Sequence, residues 1–287
     1  MEGTTEANFH EYEGMVMTKS FPVSSLNKIK ETAFHDDDII VATYPKCGTT
    51  WMQEIILLIR NNGESESVPT SDLWQFIEKG VPGQMSDISK WASLTPPRLI
   101  KTHMGSHFYE KTFEESKTKF IVVFRNPKDA LVSYYHFYKM NMSFHFNGTW
   151  NDFFQLFKDK KIVHGDVFGV QLSWWGLRDD PRVEVFKFED MLKSPEEAVR
   201  RVMKHLGKTL SDDIVQKIVE KTSFKSMKEN PLANYSQNRL FNHDISAFMR
   251  KGKVGDWKNY FSEEQAAYVD RLSKDLYESQ GLYFEDE

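Results

Sequence analysis

The chain reads as one α/β domain built on a central, mostly parallel sheet flanked by helices. Three observations lead there. Short apolar runs rich in Val, Ile and Phe alternate with helical patterns, the signature of strand–helix units. No period of 20 to 50 residues repeats, and no Pro-, Gly- or Ser-rich linker divides the 287 residues. Hydrophobic residues make up 40% against 28% charged, enough for a packed core.

In chain order, residues 1–20 read as an N-terminal extension to a domain over 21–287. Their start, "MEGTTEANFHEYEG", is acidic and lacks the basic-then-apolar pattern of a secretory signal. "IIVATY" (39–44) has the length and composition of a buried strand. A helix is expected from Thr49 to Arg60, with Trp51, Ile55, Leu58 and Ile59 at helical spacing. "RLIKTH" (98–103) and "KFIVVFRN" (119–126) supply two more strands, and Pro127 suits the first position of the helix that follows. "VEVFKFE" (183–189) is a fourth strand; after it Ser194 can cap a helix, Pro195 start it and Gly207 stop it. Residues 230–253 are polar and turn-rich, as in a long surface loop, and such loops are usually functional or mobile.

Composition excludes several function classes. A net charge of −5 and a pI near 6.0 argue against a nucleic-acid binder, so any anion site must be local. The longest aliphatic run, "IILLI" (55–59), falls far short of the ~20 residues that span a bilayer. One cysteine, Cys47, allows no internal disulfide and suits a reducing interior. The expectation is a cytoplasmic protein with neither nucleic-acid nor membrane partners.

Parallel sheets bind ligands beyond the carboxyl ends of their strands, which here means Lys46, His103 and Arg125. The first lies in "TYPKCGTTW", a strand–turn–helix whose backbone N–H groups and macrodipole suit an anion. It is not the nucleotide-triphosphate loop GxxxxGKS or GxxxxGKT: the lysine precedes the glycine and the leading glycine is missing. An ordinary strand–turn–helix with a surface lysine shares the pattern. Arg125 closes a strand that ends in aspartate in magnesium-using phosphate-loop enzymes, and arginine binds phosphate directly. Ser133 follows two turns into the next helix. A third basic cluster sets Arg250, Lys251 and Lys253 around Gly252 and Gly255. Together the three suggest a ligand with two phosphate-like ends. No His/Cys/Asp cluster has metal-ligand spacing, so no metal is expected.

The motifs "TYPKCGTTW", "KTH", "FRNPKDALVSYYHF", "TSFKSMKENP" and "FMRKGKVGDWKNYF" occur in the order and spacing of the cytosolic sulfotransferases. The chain resembles that family from about Phe21 to its C-terminus. The resemblance implies a donor, 3′-phosphoadenosine 5′-phosphosulfate, with 3′,5′-ADP as product. A small-molecule hydroxyl or amine takes the sulfuryl group. It implies a phosphosulfate loop of Lys46, Cys47, Gly48, Thr49 and Thr50, with Trp51 packing on adenine. Arg125 and Ser133 match the 3′-phosphate ligands, Phe248 to Gly252 (with Met249, Arg250 and Lys251) the second clamp. Thr222, Ser223, Phe224 and Met227 fall where the family meets the adenine, and Phe188 is carried as an apolar contact. His103 matches the catalytic base; Lys101 and Lys46 assist. Lys101, Thr102, His103, Phe76 and Phe144 are the acceptor-side candidates; segments 71–83, 141–150 and 232–248 are aromatic-rich or irregular, and their Phe76, Phe144, Phe146 and Phe241 fit an apolar acceptor wall or ordinary core alike. The 14% aromatic content leans toward a planar or apolar acceptor. A phosphate-loop kinase, the main rival, needs a Walker lysine and a strand-end acid that are absent.

The chain departs from the family in three places. Cys47 replaces a serine: beside Lys46 and a helix N-terminus a thiol can be acidified, though a small residue that simply fits is the preferred reading. Phe188 replaces a tyrosine and loses its hydroxyl. The C-terminal dimer signature is missing, since Lys258 is followed by Ser262, Glu263 and Ala267, so a monomer or an atypical homodimer is expected.

Overall fold

The computed structural model describes residues 8–79 and 94–285. The first residues of the N-terminal extension and positions 80–83 of the 71–83 segment lie outside that range. Five strands form one fully parallel sheet: β3 (Ile39–Thr43), β4 (Gln75–Phe76), β5 (Leu99–Thr102), β6 (Lys119–Phe124) and β7 (Val183–Lys187). Their order is β4-β5-β3-β6-β7, with β3 central and Ile39 facing Leu99 on one side and Lys119 on the other.

Alternate residues of β3 go to opposite layers. Ile40 and Ala42 join Ile100, Phe120, Val122 and Trp174 on one face; Ile39 and Val41 join Leu99, Ile121, Val123 and Val199 on the other. Both faces are therefore covered, which is why these strands read as continuous apolar runs rather than as an alternation. The helix Thr49–Arg60 lies on the second face, contributing Ile55, Ile56 and Ile59, and begins and ends where its sequence predicts.

Several expectations are refined. Each strand stops one to two residues before its expected end, because the terminal residue already turns toward a loop or helix; Phe188 and Glu189 open the helix Phe188–Lys193 instead of ending β7. Pro195–Leu206 is helical and stops at left-handed Gly207, but the Ser194 side chain makes no capping bond. Residues 9–18 form a hairpin, β1 (Phe9–Tyr12) and β2 (Met15–Thr18), turning through Glu13 and Gly14 at φ 50° and 76°. Met17 is fully buried and Val16 bridges to Val163, so the hairpin packs on the body of the domain. The 230–253 segment is irregular, as expected, yet it is not a free surface loop. Ala233 is buried, Phe241 bridges to Asn141, and the rings of Phe241 and Phe248 stack at 2° with centroids 5.7 Å apart.

Candidate active site

Because all five strands run the same way, the residues after Thr43, Thr102 and Phe124 emerge at one edge. Lys46, His103 and Arg125 line a single cavity there, of about 510 Å³. Arg250, Lys251, Gly252 and Lys253 from the irregular segment close its other side.

The loop between β3 and its helix is bent by two left-handed residues, Lys46 at φ 68° and Gly48 at φ 108°. A Cβ on Gly48 would sit 3.0 Å from Phe188 Cδ2, so only glycine lets the loop pass that ring. Gly48 caps the helix without a side-chain bond, leaving first-turn N–H groups for an anion. Thr49 Oγ1 bonds Thr43 Oγ1 at 2.6 Å, and Thr49, Thr50 and Trp51 all face the cavity. The half-buried Lys46 ammonium rests over Phe248 (3.8 Å) and Phe137 (4.8 Å). Burial, then the charges of Arg125 and Arg250, lower its pKa to about 7.

Arg125, 7% exposed, donates through Nη1 to the Lys46 carbonyl (3.0 Å) and through Nη2 to that of Lys253 (3.4 Å). Its Nε is sealed from solvent and has no hydrogen-bond partner among the described residues. The Phe188 ring lies 4.4 Å beneath the guanidinium and meets Trp51 edge-on at 5.5 Å. Phe188 is thus a stacking platform for the arginine, a role its missing hydroxyl does not touch. In the second clamp, Arg250 and Lys251 share one carboxylate, Asp256, with Arg250 Nη1 at 2.5 Å. Gly252 sits at φ 61°, where a Cβ would fall 2.0 Å from Phe224 Cδ2.

His103 Nδ1 lies 2.8 Å from the Thr43 carbonyl oxygen. A carbonyl only accepts, so Nδ1 carries the proton and Nε2 keeps a free lone pair. Burial lowers the His103 pKa to about 3, with Lys101 and Lys46 pushing the same way against the bond to Thr43. The strand end beneath is pinned by Glu78, whose Oε1 accepts from Thr102 Oγ1 (2.5 Å) and the His103 backbone N–H (2.6 Å). Burial pushes the Glu78 carboxyl up to about 7.

Ser133, Thr222, Phe224, Met227, Phe248 and Met249 also line the cavity, as do Lys101, Phe76, Phe144 and Phe241. Four expected residues do not. Cys47 is fully buried in the core; its N–H bonds the Tyr44 carbonyl and its sulfur lies 3.8 Å from Gln171 Nε2. Burial pushes the thiol up to about 12, so it is a small residue that fits, not an acidified one. Thr102 alternates away from Lys101 and His103 and points at Glu78. Ser223 is spent as the N-cap of Phe224–Glu229, and Phe146 packs over Gly148 and on Tyr138. The sequence pattern missed Phe21, Phe137, His164 and Tyr235, which the fold brings to the cavity from distant segments. Phe137 closes the quoted motif "FRNPKDALVSYYHF" and Tyr235 lies in the 232–248 segment, but neither was singled out, and His164 lies in no marked stretch.

A sulfotransferase domain model matches residues 36–281. Human sulfotransferase 1C2 is 37% identical over 96% of this chain and 94% of its own length. Dog sulfotransferase 1B1 is 38% identical over 88% of each. The crystal structure of mouse sulfotransferase SULT7A1 complexed with PAP superposes with a TM-score of 0.80 at 30% identity, covering 94% of this chain and 95% of that one. With matches of this quality along nearly its whole length, the chain belongs to the sulfotransferase family and is a sulfotransferase.

Proposed function

We propose that the enzyme moves the sulfuryl group of 3′-phosphoadenosine 5′-phosphosulfate to a hydroxyl, or an amine, of a small apolar or aromatic acceptor by in-line displacement. The observation that carries this is the convergence of three basic elements and the neutral strand-end His103 on one cavity. The chain fits such a donor. Arg125 holds a buried Nε with no partner among the described residues, Gly252 passes where no side chain fits, and helix N–H groups stand open at Gly48. Trp51, edge-on to Phe188, suits an adenine face, and Thr222, Phe224 and Met227 stand in the same wall. PAP, carried by the mouse relative, is the 3′,5′-bisphosphate that such a donor leaves behind.

The bound donor supplies an electrophilic sulfur and a phosphate leaving group. His103 Nε2, kept unprotonated by the bond from Nδ1 to Thr43, takes the acceptor's proton. Lys46 and the first-turn N–H groups meet the negative charge that grows on the departing oxygen. Lys101 emerges on the same face as His103 and touches Phe76 (4.7 Å) and the Tyr235 hydroxyl (3.4 Å), so it steers the acceptor end. The Phe21, Phe76, Phe137 and Phe144 rings give that end apolar walls. Residues 21–287 are taken as the catalytic unit, preceded by the 1–20 extension.

Thermal-shift measurements test the donor. 3′,5′-ADP should raise the melting temperature, and ADP with magnesium should not. Radiolabelled sulfuryl transfer to a phenol and alcohol panel tests the reaction. Stabilisation by ADP–magnesium alone would sink the reading.

A further inference from the structure

His164 takes no part in the mechanism above, yet it stands beside the base. The two imidazoles meet edge to face at 5.1 Å, and Phe21 packs on His164 at 5.0 Å. The residue is 3% exposed and lines the cavity. Its backbone is left-handed at φ 65°, followed by Gly165 at φ 69°. A non-glycine residue persists there only where its surroundings over-determine it.

Here they do. Tyr134 donates to the Val163 carbonyl (3.0 Å), the Val163 N–H donates to the Tyr138 hydroxyl (2.5 Å), and Tyr44 donates to the Gly165 carbonyl (3.0 Å). The His164 N–H itself reaches the Val16 carbonyl of the N-terminal hairpin at 3.1 Å. Met15 fills the space where a Cβ on Gly165 would fall, 2.9 Å from its Cγ. Three tyrosines and a hairpin hold one histidine in a strained pose against the acceptor cavity.

The ring so held is polar and unsatisfied. Nδ1 is sealed from solvent and, among the described residues, has no hydrogen-bond partner. Burial, with the neighbouring His103, drives the imidazole well toward its neutral form. A neutral ring has one N–H and one lone pair, and a sealed N–H without an acceptor is the costlier of the two to strand. The proton therefore belongs on Nε2, the edge left to the cavity.

We propose that His164 is a second recognition residue for the acceptor. Its Nε2–H donates to an oxygen carried on the same small ring system as the hydroxyl held at His103. The inference rests on the sulfuryl-transfer reading and adds to it a substrate class: phenols or cyclic alcohols bearing a second oxygen near the first. With the two imidazoles 5.1 Å apart, both oxygens belong to one ring system rather than to opposite ends of a long molecule. An acceptor without the second oxygen leaves the His164 donor stranded, which costs roughly ten- to a hundredfold in affinity.

Calorimetric binding of catechol, resorcinol and phenol to the 3′,5′-ADP complex tests this without relying on turnover. Wild-type protein should bind one of the diphenols at least about tenfold more tightly than phenol, and in His164→Phe that ratio should fall to about one. His164→Gly, at ease at φ 65°, must lose the preference too and serves if the Phe variant does not fold. Equal binding of diphenols and phenol by wild type, no binding of either diphenol, or a preference that survives both substitutions overturns the proposal. Loss of 3′,5′-ADP binding by wild type would instead refute the donor assignment, so the two failures are distinguishable.

Discussion

Donor binding should be coupled to proton uptake by Lys46. In the free protein burial, reinforced by Arg125 and Arg250, holds this ammonium near pKa 7, well below the ordinary lysine range. A bound bisphosphate or phosphosulfate reverses the local charge and returns the group toward its ordinary range, so the bound pKa lies above the free one. The sign follows: protons favour binding, and affinity is lost as pH rises through about 7. At pH 8 only about a tenth of the free lysine is charged, so binding 3′,5′-ADP takes up about 0.9 proton, against about 0.5 at pH 7. Affinity at pH 8 is about tenfold weaker than its acid limit, or about 1.4 kcal/mol. A phosphate's second ionisation, near pKa ~6, is complete by pH 8 and does not contribute there. Calorimetry in Tris and in HEPES at pH 8 reads the uptake from the difference in apparent heat. Lys46→Met, which keeps the stem and removes the charge, should bind more weakly with no uptake at that pH. Uptake below about 0.2 proton in wild type, or equal uptake in the variant, would refute the assignment of Lys46 to the donor's charged end.

The other predictions are more direct. His103→Ala should leave 3′,5′-ADP affinity within about threefold and cut turnover at least ~10²-fold. Because burial keeps the wild-type imidazole neutral down to about pH 3, kcat should show no acid limb from His103 between about pH 5 and 7; full activity of the variant would remove the base from the mechanism. Cys47, buried and with its thiol near pKa 12, should resist iodoacetamide in the native state and react on unfolding. Alkylation of the folded protein at the rate of a free thiol would contradict that geometry. Gel filtration at micromolar concentration should show mainly monomer, because Ser262, Glu263 and Ala267 lack the dimer signature; a stable dimer through Lys258–Ala267 would count against it.

What the sequence revealed and what it hid divide along physical lines. The β3–loop–helix unit was legible because every signal is local: an apolar strand, a glycine at the turn, and helical spacing from Thr49 to Arg60. Lys46, His103 and Arg125 were legible because parallel strands present their ends together. Thr102 was within reach of the same logic, since Lys101 and His103 on one face put it on the other. Cys47 was not, because the direction of a side chain in a loop with Lys46 at φ 68° follows from backbone angles that the sequence does not display. His164 was further out of reach: what makes it notable is a pose imposed by Tyr44, Tyr134, Tyr138 and Val16, none of them near it in sequence.

The arrangement of the cations also shows how an acidic protein gathers positive charge around one cavity. The Lys46 ammonium rests on two phenylalanine faces, Arg125 on Phe188 and two carbonyls, and Arg250 and Lys251 divide a single Asp256. Aromatic faces and carbonyls hold a cation in place without cancelling its charge, unlike a dedicated carboxylate partner. Burial alone would raise the Asp256 carboxyl, but hydrogen bonds from Lys251, Asn259 and Arg250 outweigh it and hold it at about 2, so this one compensating charge stays ionised. Lys46, Arg125, Arg250 and Lys251 then face one cavity, Arg250 and Lys251 sharing the Asp256 carboxylate, and the repulsion that lowers the Lys46 pKa is relieved by an incoming polyanion. A site assembled in this way discriminates by charge number, since a ligand with one anionic end satisfies only one side of the cavity while a donor with two engages both.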